Sequence, residues 1–303
     1  MTTFLLFGAG ASRFSGDCSP IPPPLGPDFF DELVKRGGIA ATVEADIAEV
    51  FRGNFEVGTS MFRQRRGAEV TTLLIEMADY FARFTPGLSN LYVKLLAGMS
   101  DTNRRFAIAT LNYELLIELS ATHIGRTISY TVSGAGRHSI PILKPHGSCN
   151  FLPDLAPRQI YNLSVNIVDT TKHAAIVDAP VRAANVTEVL EFCARENSIA
   201  PALALYEKGK DTLFCPTFVR QQQAEYKDTV AQASRIFVIG ARVNEEDEHI
   251  WLPLAQARAP LYYVGPDTRE LLPWAAKYRR RSVSHFARSF EDAVPKIISI
   301  QKR

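Results

Sequence analysis

The chain has 303 residues, of which 46% are hydrophobic and 22% are charged, and it can bury a core without disulfides or metal ions. Its formal net charge of +2 gives no indication of a nucleic acid or an acidic membrane surface as a partner. No segment approaches the roughly 20 apolar residues that cross a bilayer, and the N-terminus lacks the features of a secretory signal, so a cytoplasmic protein is expected.

The first third of the chain predicts one strand, one loop and a group of helices. The apolar run from Phe4 to Phe7 ends at Gly8, which is typical of a fully buried strand. The following residues, 8–27, are rich in Gly, Ser and Pro and predict a long loop. Apolar residues at steps of three and four then predict a helical insertion at about 28–99.

In the rest of the chain, predicted strands alternate with predicted helices. The strands are expected at 106–110, 127–130, 140–144, 212–215, 235–239, 260–264 and 281–284, and the helices at 113–121, 189–205, 246–258, 268–277 and 287–300. A less regular excursion is expected at about 150–210. The alternation predicts a doubly wound, mostly parallel, Rossmann-like α/β sheet in a single domain covering residues 1–303.

The loop after the first strand reads Gly8-Ala9-Gly10-Ala11-Ser12 and is a dinucleotide signal. Gly8 permits a tight turn, and Gly10 lets the backbone approach a pyrophosphate whose charge the following N–H groups can hold. Ser12 and Arg13 are candidate side-chain donors. The dehydrogenase fingerprint requires a third glycine where Arg13 stands, which disfavours hydride transfer.

Three further motifs follow predicted strands. They are Thr110-Leu111-Asn112-Tyr113-Glu114, Lys144-Pro145-His146-Gly147-Ser148 and Val238-Ile239-Gly240-Ala241-Arg242. Because ligands of open α/β sheets bind outside the carboxyl ends of the strands, all four motifs are candidates for one crevice.

In this ordered set of motifs the sequence resembles the Sir2 (sirtuin) superfamily, and in particular its zinc-free bacterial branch of the NAD-hydrolysing anti-phage defence type. Phe214-Cys215-Pro216-Thr217 also resembles the family's stretch before its last nucleotide-binding strand. The matching motifs run from residue 4 to about 267. The helical insertion and residues 150–210 contain no matching motif.

The resemblance implies a role for each matching residue. His146 would be the general base at the nicotinamide ribose, a role that suits a side chain that titrates near neutral pH. Asn112 would lie beside that ribose and help to place a water molecule. The residues implied to bind the cofactor are Gly8, Ala9, Gly10, Ala11, Ser12, Arg13, Gly240, Ala241 and Asp267, the last of these at the adenosine ribose.

The sequence also departs from the sirtuin pattern. Glu114 stands where an aspartate is usual, and Ala241-Arg242 replaces a small polar residue after the glycine. The four cysteines, at positions 18, 149, 193 and 215, are scattered and include no close pair, so neither the sirtuin zinc module nor any other metal site is predicted. Without that module, NAD hydrolysis is favoured over protein deacylation.

The leading hypothesis is therefore an NAD glycohydrolase that releases nicotinamide and ADP-ribose and acts as an NAD-depleting defence effector. NAD is the expected substrate, and a second copy of the chain or a defence-system protein is the candidate partner. The alternatives are a non-catalytic module that binds NAD or ADP-ribose and an NAD-dependent protein deacylase.

Simpler roles remain open for the same residues. His146 alone fits a buried histidine that is satisfied by the backbone, and Asn112 alone fits the cap of the helix that follows. The run from Glu245 to His249 suggests a metal site, but the acidic first turn of a helix is the favoured interpretation.

Overall fold

A computed structural model describes residues 2–102, 104–136, 138–155, 164–166 (backbone only), 176–195, 199–204, 212–279 and 281–303. Much of the excursion expected at 150–210 lies outside the described residues. Among the described helices, none combines the length and the apolar character that a membrane span requires.

Strands and helices alternate along most of the described chain. The strands are β1 (Thr3–Phe7), β2 (Cys18–Ser19), β3 (Thr85–Pro86), β4 (Phe106–Thr110), β5 (Thr127–Ser129), β6 (Ser139–Leu143), β7 (Phe151–Pro153), β8 (Ser164–Asn166), β9 (Ile176–Asp178), β10 (Val181–Ala183), β11 (Arg235–Ile239), β12 (Leu261–Val264) and β13 (Val283–Ala287). The helices are α1 (Ala9–Arg13), α2 (Gly26–Lys35), α3 (Ala45–Gly53), α4 (Phe55–Arg66), α5 (Val70–Ala82), α6 (Leu91–Ser100), α7 (Leu116–His123), α8 (Val186–Cys193), α9 (Pro216–Gln232), α10 (Glu248–Gln256), α11 (Leu271–Tyr278) and α12 (Phe290–Lys302), with short 3-10 turns at Ala40–Thr42 and Gly67–Glu69.

Seven strands form one sheet in the order β13-β12-β11-β1-β4-β6-β5, and every neighbouring pair is parallel. The chain builds one half of the sheet from β1 towards β5 and then returns to the other side of β1 with β11. This is the doubly wound, Rossmann-like α/β arrangement that the alternating pattern predicts, and the prediction of the fold class is confirmed.

The central strands are buried on both faces, as expected for a parallel sheet that is covered by helices. All five residues of β1 are buried. Phe7, the last of them, is level with Ile239 on one side and with Thr110 on the other. The loops that follow these three strands therefore leave the sheet side by side.

Two hydrophobic clusters cover the two faces of the sheet. The larger one joins side chains of the sheet, such as Phe7 and Ile239, to α2, α3, α5 and α6. The smaller one joins Phe4 and Val238 to α9, α10 and α11. The insertion predicted at 28–99 is largely helical and shares its core with the sheet, although β3 lies within it and pairs antiparallel with β2.

Three local predictions were wrong. The stretch 8–27, expected to be a long loop, contains helix α1 and the two-residue strand β2, and α2 already begins within it. The helix expected at 189–205 ends at Cys193, and residues 199–204 are not helical. No strand forms at 212–215; instead Phe214 makes an isolated bridge to Val177, and Cys215 adopts the left-handed backbone conformation (φ 51°) that starts α9. The pattern of apolar residues in such short segments does not distinguish a strand or helix from a segment that is held by tertiary contacts.

Candidate active site

The four predicted motifs follow four adjacent strands. β11, β1, β4 and β6 are neighbours in this order and run parallel, so their carboxyl ends lie at one edge of the sheet. The loop with Gly240 follows β11, the loop with Gly8 follows β1, the loop with Asn112 follows β4, and the loop with His146 follows β6.

Direct contacts join the first two of these loops. The amide of Gly8 donates to the Ile239 carbonyl (3.0 Å), and the amide of Gly10 donates to the Gly240 carbonyl (2.9 Å). Gly240 has φ +62°, and a Cβ at this position would lie 2.1 Å from the backbone nitrogen of Ala11. A side chain at position 240 would therefore displace the candidate phosphate loop.

Only part of the candidate phosphate loop faces outward. Ala9 is exposed and Gly10 and Arg13 are half-buried, whereas Gly8, Ala11 and Ser12 are buried. The amides of Gly8, Gly10 and Ala11 already donate hydrogen bonds within the protein. The surface that a ligand can reach is thus formed by Ala9, Gly10 and Arg13.

Asn112 and Ser12 meet beneath this loop. The Nδ2 of Asn112 donates to the Gly8 carbonyl (3.2 Å) and to the Ser12 hydroxyl oxygen (2.8 Å). Since a carbonyl can only accept, these bonds orient the amide of Asn112 and leave Oδ1 as its accepting group. Asn112 does not cap α7, because the N-cap residue of that helix is Leu115.

The Ser12 side chain is directed inward. Its hydroxyl donates to Glu114 Oε1 (2.5 Å), and the Tyr92 hydroxyl lies 2.9 Å from Oγ of Ser12. A serine hydroxyl has one hydrogen and two lone pairs, so Ser12 is satisfied by Glu114, Asn112 and Tyr92. This hydroxyl, which the sequence predicts to contact a pyrophosphate, joins the loop to the segment after β4 and to α6.

Glu114 is a functional candidate whose role the sequence did not reveal. Its Oε2 accepts from the Leu116 amide at the start of α7 (2.7 Å), while Oε1 accepts from Ser12. Complete burial raises the pKa of this carboxyl, and the positive charge of Lys144 partly opposes that effect. In the sequence, Glu114 appeared only as a departure from the usual aspartate.

Lys144 is fully buried next to this network. Its ammonium group donates to the Glu114 carbonyl (2.7 Å) and to Glu118 Oε1 (2.9 Å). Lys144 follows β6, so its bond to the Glu114 carbonyl joins the segment of His146 to the loop of Asn112. Its ion pair with Glu118 joins the same segment to α7. A buried charge without a partner would be costly, and in this ion pair each charge compensates the other.

His146 lies in a segment that packs tightly on its surroundings. Gly147 has φ +80°, and a Cβ there would lie 1.9 Å from the Ala202 carbonyl oxygen. The Cys149 amide donates to the Tyr113 carbonyl (3.0 Å), which joins this segment to the loop of Asn112. His146 is 2% exposed, so its ring belongs to the interior of the site.

Two side chains at the end of the loop after β11 and the start of α10 lie close to His146. Nε2 of His146 lies 4.0 Å from Oδ2 of Asp247, and the rings of His146 and His249 are 5.1 Å apart. The sequence placed Asp247 and His249 in the acidic start of a helix, and α10 does begin there. Their proximity to His146 depends on tertiary structure and has no local signal.

The residues predicted for the adenosine side lie at the neighbouring strand ends. Ala241 is buried, and its carbonyl accepts from the Tyr263 hydroxyl (3.1 Å). Asp267 follows β12, and its ion pair with Arg269 (2.7 Å) helps to lower the pKa of its carboxyl. The described part of the chain contains no group of three or more His, Cys, Asp or Glu residues arranged to hold a metal ion.

Neither a protein-family model nor a curated protein matches this chain. Solved structures similar to it include a mutant Sir2 homologue in complex with ADP-ribose, with 14% identity and a TM-score of 0.49 over 99% of this chain and 92% of that one. Another is Sir2Tm bound to a propionylated peptide (14% identity, TM-score 0.47, 98% and 92%), and a third is Sir2 bound to an acetylated peptide (13% identity, TM-score 0.45, 98% and 92%). The fold assignment rests on the strand order and registers of this chain.

Proposed function

We propose that this chain binds NAD at the carboxyl ends of β11, β1, β4 and β6 and hydrolyses the bond between nicotinamide and ribose. The observation that carries the proposal is the convergence of the four motif loops, which hydrogen bonds join to one another at Gly10, Asn112 and Cys149. Ligands of open α/β sheets bind at this edge, next to the point where the strand order reverses.

In this proposal the outward part of the phosphate loop, at Ala9, Gly10 and Arg13, faces the pyrophosphate. Arg13 supplies the positive charge, while Gly8, Ala11 and Ser12 hold the loop in shape from below. Gly240, Ala241 and Asp267 lie on the adenosine side.

The chemistry follows from the groups that remain available. Cleavage develops positive charge on the ribose while neutral nicotinamide leaves. Oδ1 of Asn112 accepts a hydrogen bond from the attacking water, since both hydrogens of its Nδ2 are already donated. His146 takes a proton from this water or from a ribose hydroxyl, and its burial strengthens its electrostatic contacts with the substrate. The products are nicotinamide and ADP-ribose.

From the resemblance to the zinc-free defence branch, we also propose that the chain acts as a defence effector in the cell. Uncontrolled NAD hydrolysis would deplete the NAD of that cell. Such an effector requires control by a partner or by self-association. The helices of the insertion are the candidate surface for it.

The decisive experiment measures nicotinamide release from NAD by the purified chain, with and without an acylated peptide. Release without peptide is expected, and His146→Ala should abolish it while the circular dichroism spectrum stays unchanged. Release that requires the peptide would indicate a deacylase. Tight NAD binding without any product would indicate a binding module, and an active His146→Ala variant would exclude His146 as the base.

A further inference from the structure

The contact between His146 and Asp247 crosses the candidate site. β6 and β11 are separated in the sheet by β1 and β4, so their ends are about 14 Å apart at the usual strand spacing. Nevertheless, Oδ2 of Asp247 lies 4.0 Å from Nε2 of His146, and the two side chains are 6% and 3% exposed. The loop after β11 therefore reaches across to the residue that the proposed function uses as its base.

Helix α9 holds both sides of this contact. The side chain of Gln222 accepts from the Lys144 amide (3.0 Å), and that of Gln223 donates to the Pro145 carbonyl (3.1 Å). Further along the same helix, the Tyr226 hydroxyl donates to the Ile250 carbonyl in α10 (3.1 Å). One rigid element thus holds the segment of His146 and the start of α10 in register.

The carboxylate of Asp247 does not serve the usual purpose of an aspartate at the start of a helix. The helix starts through the main-chain oxygen of Asp247, which accepts from the amides of Ile250 (2.8 Å) and Trp251 (2.9 Å). Its side chain makes no capping hydrogen bond. Burying a carboxylate costs free energy unless polar or charged groups compensate its charge, and His146 is one of the groups close enough to do so.

We propose that Asp247 is a positioning residue for His146. Its carboxylate favours the tautomer that carries the hydrogen on Nε2, which leaves Nδ1 as the basic nitrogen. When Nδ1 takes a proton, an N–H bond forms, the O–H bond of the water or ribose hydroxyl breaks, and the electron pair stays on that oxygen. Asp247 stabilises the resulting imidazolium. The assignment rests on the proposed function, in which His146 is the base.

The test follows the titration of the His146 ring by NMR in the full-length protein with labelled histidines, and His146→Gln identifies its signal. Asp247→Asn should move the titration midpoint to lower pH by about one unit or more, the effect of removing an opposite charge at this distance. His249 also faces the ring, but it is unchanged in the variant, so the difference reports Asp247. The matched control is Glu248→Gln, which removes the exposed neighbouring carboxylate.

Kinetics supply the second readout. Asp247→Asn should lower kcat with little change in KM for NAD, and the acidic limb of the pH profile should move in the same direction as the NMR midpoint. If Asp247→Asn fails to fold, Asp247→Ser removes the same charge with a smaller side chain.

The two proposals fail in different ways. A midpoint that stays in place or rises in the Asp247 variants overturns the positioning role, even if the parent chain hydrolyses NAD. A midpoint that falls in a chain without any NAD turnover supports the contact and overturns the proposed function alone.

Discussion

Ser12 and Asn112 are hydrogen-bonded to each other at the candidate phosphate loop, but they differ in the hydrogen-bonding groups that they leave for a ligand. The hydroxyl of Ser12 is satisfied by three protein groups, whereas Asn112 keeps an accepting oxygen. Both side chains are polar and could contact a ligand. Their hydrogen-bond partners in the folded protein assign Ser12 to holding the loop and leave Asn112 to contact a ligand.

The raised pKa of the Glu114 carboxyl predicts how the stability of the protein changes with pH. Burial raises its pKa, so the folded state holds this proton at a pH where the unfolded chain has released it. The free energy that Glu114 contributes to folding should therefore be largest at low pH and should fall as pH rises through the folded-state pKa.

Denaturant unfolding of the parent chain and of Glu114→Gln over a range of pH checks this expectation. The amide places an NH2 group, which cannot accept, opposite either the Ser12 hydroxyl or the Leu116 amide, whereas both oxygens of the carboxylic acid keep lone pairs. The free energy of unfolding of the variant should therefore be about 1–3 kcal/mol lower at acidic pH. Its deficit should shrink at higher pH. Glu246→Gln controls for the loss of a surface carboxylate, and a Glu114→Gln deficit that grows with pH would contradict the interpretation.

Among the elements, the ends of β1 and β11 depend on close backbone approach. Gly240 has a left-handed φ, and a Cβ at this position would clash with the backbone nitrogen of Ala11. The turn after β11 and the candidate phosphate loop after β1 are therefore one packed unit.

Gly240→Ala should weaken NAD binding as well as stability, because the new methyl group displaces the loop. Gly125→Ala is the matched control, since Gly125 also has a positive φ (+68°) but has open space around its Cβ position. The backbone strain should cost both variants about 1–2 kcal/mol. Calorimetric titration with NAD should then show a loss of affinity for Gly240→Ala alone; equal affinities would show that the loop does not hold the ligand.

For the whole molecule, the helical insertion and the sheet share one apolar cluster. Phe51 of α3 is fully buried and stacks on Phe30 of α2 at 4.3 Å between ring centres. The same cluster contains Phe7 and Ile239 of the central strands. We therefore expect the insertion to unfold together with the sheet.

Phe51→Ala should lower the free energy of unfolding by about 3–5 kcal/mol, the usual effect of truncating a buried phenylalanine. The two tryptophans, Trp251 and Trp274, lie in the cluster on the opposite face of the sheet. Their fluorescence should nevertheless report the same lowered transition as circular dichroism. Val57→Ala, at an exposed position of α4, should change little. A tryptophan transition that stays in place while helical signal is lost earlier would show that the insertion unfolds on its own.

The sequence by itself determined the alternation of buried strands and helices, and with it the fold class. It also located the four motifs at strand ends, since short apolar runs that stop at a glycine or a polar residue are local signals. Periodicity was less informative for short segments such as 212–215, where contacts with Val177 and the conformation of Cys215 override it.

Only the tertiary structure decided which candidate side chains remain available to a ligand. It turned Ser12 inward, placed Glu114 and Lys144 beneath the loops, and brought Asp247 to His146 from a strand three positions away in the sheet. These contacts join residues about 30 to 100 positions apart in the chain. Strand order and helix packing create them, and neither leaves a local pattern in the sequence.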